Sequence, residues 1–195
     1  MLKLQKSSKE ENLIKGCCKG EARAQKQLFE RYAPRMLTVC RRYITDNDQA
    51  EDVMLVAWVK VFERIGQFRG QGSFEGWLRR VMVNESLTWL RQNKQMYLHT
   101  DLDEADRSPD LGVLENHLEA EDIMKMVQQL PAGYRTVFNL YAIEGYSHKE
   151  IAKTLDITEN TSKSQLSRAR LHLQKLLLAS ESVLAEEAIG HGANR

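Results

Sequence analysis

Lys163, Arg168 and Arg170 crowd one short segment of the chain, SKSQLSRAR. Ammonium and guanidinium groups in a row donate to phosphate oxygens, and arginine can also grip a guanine edge in bidentate fashion. Thr158, an N-cap residue type, stands just ahead of the segment and predicts a second helix running to about residue 178. Upstream, Ser147-His148-Lys149-Glu150 has the S-x-x-E form of a capping box, in which the serine hydroxyl accepts from the Glu150 amide while the Glu150 carboxylate reaches back. Ala152 is small where two helices cross, and Leu155 and Ile157 are apolar where such a pair needs a core. The spacing over residues 146–173 is that of a helix-turn-helix, whose second helix enters a DNA major groove. It equally fits an αα-hairpin with a solvated basic face, and these residues alone leave both readings open.

A second constellation lies in the first half. Residues 68–73, FRGQGS, form a glycine-rich loop, and Ser73 is placed to cap a helix from Phe74 to about Asn93. That helix has an apolar face through Phe74, Trp77, Leu78, Val81, Met82, Leu87 and Leu90, beside Arg79, Arg80, Arg91 and Lys94. Aromatic and basic residues interleaved in this way suit single-stranded nucleic acid, whose bases stack on rings and whose phosphates need cations. Trp77 and Trp89 at helical spacing also fit an ordinary core.

Other chemistry finds no support. Paired carboxylates, a nucleophile constellation and a phosphate loop in a plausible setting are all lacking, so an enzyme is the weakest reading. Cys17, Cys18 and Cys40 have no partner spacing suited to zinc, and neighbouring cysteines rarely bridge. The histidines at 99, 117, 148, 172 and 191 are scattered. Neither a cofactor nor a metal is called for. A signal peptide and an apolar run of spanning length are also lacking, which favours a reduced, cytoplasmic protein with no membrane partner.

The elements that must position these residues are helical. The 195 residues carry three prolines and eleven glycines, and long stretches are rich in Leu, Ala, Glu, Lys, Gln and Arg, which favours an all-α fold. Residues 1–10 read as frayed and residues 11–19 as a short helix. A long helical candidate, residues 22–43, has Ala24, Leu28, Tyr32, Met36, Val39, Cys40 and Tyr43 on one side, with Pro34 a place for a kink or split. Asp48 and Glu51 suggest a capped start for a helix over residues 49–65. Its VMLVAWVKVF run is apolar nearly all round, so it is either central or covered by a partner. Helices at residues 118–130 and 132–143, the latter opened by Pro131, complete the second half. Net charge is +1, but the region from Leu98 to Met124 concentrates Asp and Glu against Arg107 alone. An acidic linker, residues 96–116, thus joins an N-terminal domain, residues 11–95, to a C-terminal one, residues 117–179. Residues 180–195 read as a disordered tail.

Taken in order, these pieces resemble an extracytoplasmic-function (ECF) sigma factor of the sigma-70 family. The resemblance spans residues 11–178 and rests on LFERYAPRM, QAEDV and FRGQGSFEGWLRRVMVN in the first half. In the second half it rests on LPAGYRTVFNLYAIEGYSHKEIAKTL and ITENTSKSQLSRAR. It implies two small helical domains, sigma regions 2 and 4, with the helix-turn-helix closing the second. It further implies docking on the clamp of the largest core RNA polymerase subunit through Asp52, Leu55, Val56, Val59 and Lys60. An unpaired base of the promoter −10 element would be trapped by Phe68, Arg69, Gly70, Gln71, Ser73, Arg80 and Asn84. The duplex −35 element would be read by Lys163, Ser164, Gln165, Ser167 and Arg168. The linker would lie in the polymerase's nucleic-acid channels, no small-molecule substrate is implied, and an anti-sigma factor or other recruiting protein is a further implied partner.

Five positions depart from the family pattern. Leu55 and Val56 stand where polar residues are usual, which exchanges polar contacts with polymerase for apolar surface. Asp156 replaces a frequent turn glycine, and Ser162 a frequent valine, which predicts slightly looser packing. Gln165 stands where arginine is common, so the −35 sequence read would differ. The alternative is a LuxR-type helix-turn-helix regulator of duplex operators; it accounts for the second half and leaves QAEDV and FRGQGSFEGW without a purpose. A helical scaffold with no DNA role leaves SKSQLSRAR unexplained.

Overall fold

A computed structural model describes residues 2–93 and 120–192. The chain divides into two compact units at Asn93, and the described residues are helical with no strand. The acidic linker lies outside the described residues.

The first unit contains α1 (Leu2–Cys18), α2 (Ala22–Arg41), α3 (Asn47–Arg64), a 3₁₀ turn (Ile65–Gln67) and α4 (Phe74–Gln92). Its core follows the three- and four-residue apolar steps. Leu28, Tyr32, Met36, Val39 and Cys40 of α2 meet Val53, Met54, Ala57, Trp58 and Val61 of α3 and Phe74, Leu78, Met82, Leu87 and Leu90 of α4. Burial of each large side chain in this set is worth about 1.5–3 kcal/mol. Two ion pairs tie α4 to its neighbours, Arg35–Glu75 at 2.6 Å from α2 and Lys60–Glu85 at 2.5 Å from α3.

Three local expectations are corrected in this unit. The N-terminus is one helix from Leu2 rather than a frayed arm before residue 11; the Tyr32 hydroxyl donates to Glu10 and ties that turn to α2. Of the kink or split expected at Pro34, the split does not occur: α2 runs through it unbroken. The proline is exposed, so the carbonyl of Glu30 that its missing N–H would have bonded lies on the solvent side. Asp46, not Asp48, caps α3: its carboxylate accepts from the Gln49 amide at 2.9 Å, and the helix starts two residues earlier than expected.

The second unit contains α5 (Ala120–Gln129), α6 (Ala132–Phe138), a π turn (Asn139–Ile143), α7 (His148–Leu155) and α8 (Glu159–Gly192). Val127, Leu130 and Ala169 centre one cluster, with Met124, Tyr134, Phe138 and Leu173 packed against it. Val137, Leu140, Ile151, Leu155 and Leu166 are also buried. Arg135 is buried too, and its guanidinium donates to the Gln128 and Leu130 carbonyls at 3.1 and 2.8 Å, satisfying orphan acceptors at the end of α5. Burial lowers its proton affinity.

The helix expected over residues 132–143 changes its winding at Asn139. The Glu144 amide bonds the Asn139 carbonyl five residues back, a widened turn of the kind that often marks a functional position. It leaves Tyr141 partly exposed. The tail is also corrected: α8 continues to Gly192, since ESVLAEEAI is made largely of helix-favouring residues.

Candidate nucleic-acid interfaces

In the second unit the capping box is present as spelled. The Ser147 hydroxyl accepts from the Glu150 amide, and the Glu150 carboxylate accepts from the Ser147 amide at 2.8 Å. That amide, first among the causes, holds the Glu150 carboxyl below its usual range. Thr158 caps α8, its hydroxyl accepting from the Thr161 amide at 3.0 Å. Between the helices Asp156 has φ +56°, ψ +48°, and its amide donates to the Ala152 carbonyl. It is the one non-glycine residue with positive φ among the described residues, so the turn has the left-handed shape that glycine fills without strain.

Along α8, Ser162, Leu166 and Ala169 are buried. Lys163 and Ser164 are exposed, and Gln165, Ser167 and Arg168 are half-buried. The five sequence-selected positions therefore flank a buried stripe, with Lys163, Ser164, Ser167 and Arg168 one turn apart on a common side. Ser164 keeps its hydroxyl on the helix, donating to the Thr161 carbonyl at 3.0 Å.

Ser162 takes a polar partner where valine would only pack. Its side chain is fully buried, and its Oγ lies 2.9 Å from Nδ1 of His148 at the start of α7. The His148 ring stacks on Tyr141 with centroids 4.6 Å apart, and the Arg170 guanidinium lies 5.9 Å from the Tyr141 centroid. Desolvation, then Lys163 and Arg170, lower the proton affinity of His148. Sequence reasoning passed over this group because His148 and Ser162 meet only once the two helices cross.

In the first unit the loop at residues 68–73 is anchored by its aromatic. Phe68 packs edge-on against Phe74 at 5.2 Å and lies tilted to Trp77 at 6.0 Å, and Phe74 stacks on Trp77 at 5.6 Å. Arg69, Gly70, Gln71 and Gly72 are exposed. Gly70 and Gly72 take φ +71° and +89°, so the loop doubles back through conformations closed to most side chains. Ser73 accepts from the Gly76 amide at 3.0 Å, so its hydroxyl serves as a helix cap. Arg80 and Asn84 are exposed one turn apart on α4.

On α3, Asp52, Leu55, Val56 and Val59 form one exposed face opposite the buried one. The last three are 45%, 48% and 58% exposed, so the near-uniform apolarity of this helix is resolved as half core and half surface. Lys60 borders that face and turns its ammonium to Glu85.

Burial pushes the thiols of Cys17 and Cys40 up to about 11, which keeps both protonated and unreactive. Among the described residues no group of three or more His, Cys, Asp and Glu is placed to hold a metal ion. No described helix is long and apolar enough to cross a membrane.

Family models match both units: sigma-70 region 2 over residues 28–96, and sigma-70 region 4 over residues 120–173. The chain belongs to the sigma-70 family. RNA polymerase sigma-H factor of Pseudomonas aeruginosa is 28% identical over 181 residues, covering 86% of this chain and 93% of the relative. ECF RNA polymerase sigma-E factor of Escherichia coli K12 is 28% identical over 170 residues, covering 81% and 88%. A solved structure of the sigma factor RpoE with the anti-sigma factor NepR, from Bartonella quintana, aligns at a TM-score of 0.47 and 24% identity, covering 78% of this chain and 95% of that one. The resemblance to ECF sigma factors drawn from the sequence holds, and with sigma-70 region 2 matched in the first unit, the LuxR-type alternative falls.

Proposed function

We propose that this chain works as an ECF-type sigma factor with two DNA anchors, one for melted and one for duplex promoter. It binds core RNA polymerase and directs promoter recognition and opening. The observation that carries this reading is the pairing, in one chain, of region 2 and region 4 matches with two differently built basic surfaces. The first is a looped, aromatic-anchored surface beside Arg80 and Asn84. The second is a regular helix face carrying Lys163 and Ser164. A flexible single strand is best held by a shaped loop, and a duplex groove by a rigid helix.

In this reading Phe68 fixes the loop, while Arg69, Gly70, Gln71, Arg80 and Asn84 meet the unpaired −10 base and its phosphates. Ser73 acts through its cap on α4. Lys163, Ser164, Gln165, Ser167 and Arg168 face the −35 groove, where Gln165 can read an adenine edge. Asp52, Leu55, Val56 and Val59 meet polymerase, with Lys60 at their border. An anti-sigma factor or recruiting protein is a further partner. The protein performs no covalent step; its binding energy holds the promoter open, and phosphodiester chemistry belongs to polymerase. It acts in the cytoplasm, where its polymerase and promoter partners reside.

The test separates the anchors. Asn84→Ala should weaken binding to single-stranded −10 DNA and spare the duplex. Lys163→Ala should do the reverse and, for a phosphate contact, lower the salt slope of duplex binding by about one. If both variants impair both probes equally, the division of labour is wrong.

A further inference from the structure

We propose that His148 is a positioning residue for α8 whose ring takes up a proton when duplex DNA binds, so that affinity for duplex rises as pH falls. This rests on the reading of α8 as the duplex-facing helix. The geometry holds the ring on two sides. Its Nδ1 lies 2.9 Å from the Oγ of fully buried Ser162, the residue just before Lys163. One face stacks on Tyr141 of the π turn, which also carries Arg170 at 5.9 Å. The ring thus links the first helix of the pair, the turn before it and the recognition helix.

The charges facing it all come from α8: Lys163 and Arg170 repel an imidazolium, and Glu159 attracts it. Tyr141, from the π turn, is the titratable group stacked on it. On α7 itself Lys149 follows, and the Glu150 carboxylate is turned to the Ser147 amide. In the free protein desolvation, then the charges of Lys163 and Arg170, hold the proton affinity of His148 below its ordinary value. Phosphates drawn to Lys163 neutralise part of that repulsion and add attraction of their own. Binding then favours the protonated ring, and by linkage the protonated protein binds more tightly.

The hydrogen bond survives the change. A neutral Nδ1 accepts from the Ser162 hydroxyl. A protonated Nδ1–H donates to Oγ, and the hydroxyl proton turns to the helix carbonyl of Thr158, four residues back. Position is kept while charge is gained.

The test uses the full chain and a duplex enriched from a random-sequence pool by binding to it. Affinity is measured at low salt from a pH of about 8 to about 5.5, a span that brackets the ordinary histidine value. Wild type should bind at least about threefold more tightly at the low end, and His148→Gln should lose most of that gain while still binding at the high end. In parallel, the ring resonances of His148, assigned by their loss in His148→Gln, should titrate at higher pH in the complex than in the free chain. A pH dependence that persists in His148→Gln, or a His148 titration unmoved or lowered by DNA, overturns the proposal and leaves the duplex reading intact. Failure to enrich any duplex removes the duplex reading, and the proposal with it.

Discussion

Replacing Asp156 by glycine should stabilise the second unit without touching either proposed DNA surface. An L-residue held in the left-handed helical region carries about 1–2 kcal/mol of strain, toward the low end for aspartate, whose short polar side chain tolerates it. Glycine removes that strain, and it also removes a negative charge from the carbonyl end of α7, a change of the same sign that exposure to solvent keeps small. Against these, glycine widens the unfolded ensemble by about 0.4–1 kcal/mol. The balance is a small gain, up to about 0.6 kcal/mol, or at most a few degrees of melting temperature for a unit of this size. All three tryptophans lie in the first unit, so tryptophan fluorescence would miss the effect. Hydrogen exchange at the amides of Ile151 and Leu155, in the buried face of α7, reads it directly. Their protection should rise while that of Leu78 and Met82 in α4 stays fixed. Equal or lower protection in Asp156→Gly would mean that the aspartate side chain repays its strain, and the account of this turn would be wrong.

Further changes have equally defined outcomes. Leu55→Gln together with Val56→Asp, at exposed positions, should alter stability by less than about 0.5 kcal/mol; pull-down with core polymerase should show a changed affinity, and an unchanged one removes this face from the interface. Gly70→Ala or Gly72→Ala has room for a methyl but not the right backbone angle, so either should weaken binding to single-stranded −10 DNA while thermal unfolding of α4 moves little. The depressed proton affinity of His148 means that the unfolded chain binds the extra proton as pH falls through about 6.5. Stability of the second unit should therefore be level above that pH and decline below it, more steeply in wild type than in His148→Gln by thermal scans.

Much of the fold was legible because it is written locally. Ser73, Ser147 with Glu150, and Thr158 cap where their residue types say they should, and the apolar steps along α2 mark its buried side. Polar caps and helical periodicity depend on neighbours a few residues away, which the sequence displays. Asp46 rather than Asp48 caps α3 because several acceptors crowd that turn and only backbone geometry selects one. The exposed face of Leu55, Val56 and Val59 was ambiguous for a related reason: an all-apolar helix carries no periodic sign of which side is covered. The pairing of His148 with Ser162 depends on how helices cross, which no spacing records. The last turns of α8, beyond residue 178, have helical composition without an apolar periodicity to reveal them.

Transcription from purified components tests the central claim most directly. Core RNA polymerase with this chain should be offered a library of promoter fragments, and the start sites of the transcripts mapped. A sigma factor with two DNA anchors gives transcripts from defined start sites on a subset of fragments, lost when either Asn84 or Lys163 is replaced by alanine. Absence of any start-site-specific transcript, together with no binding to core polymerase, would contradict it.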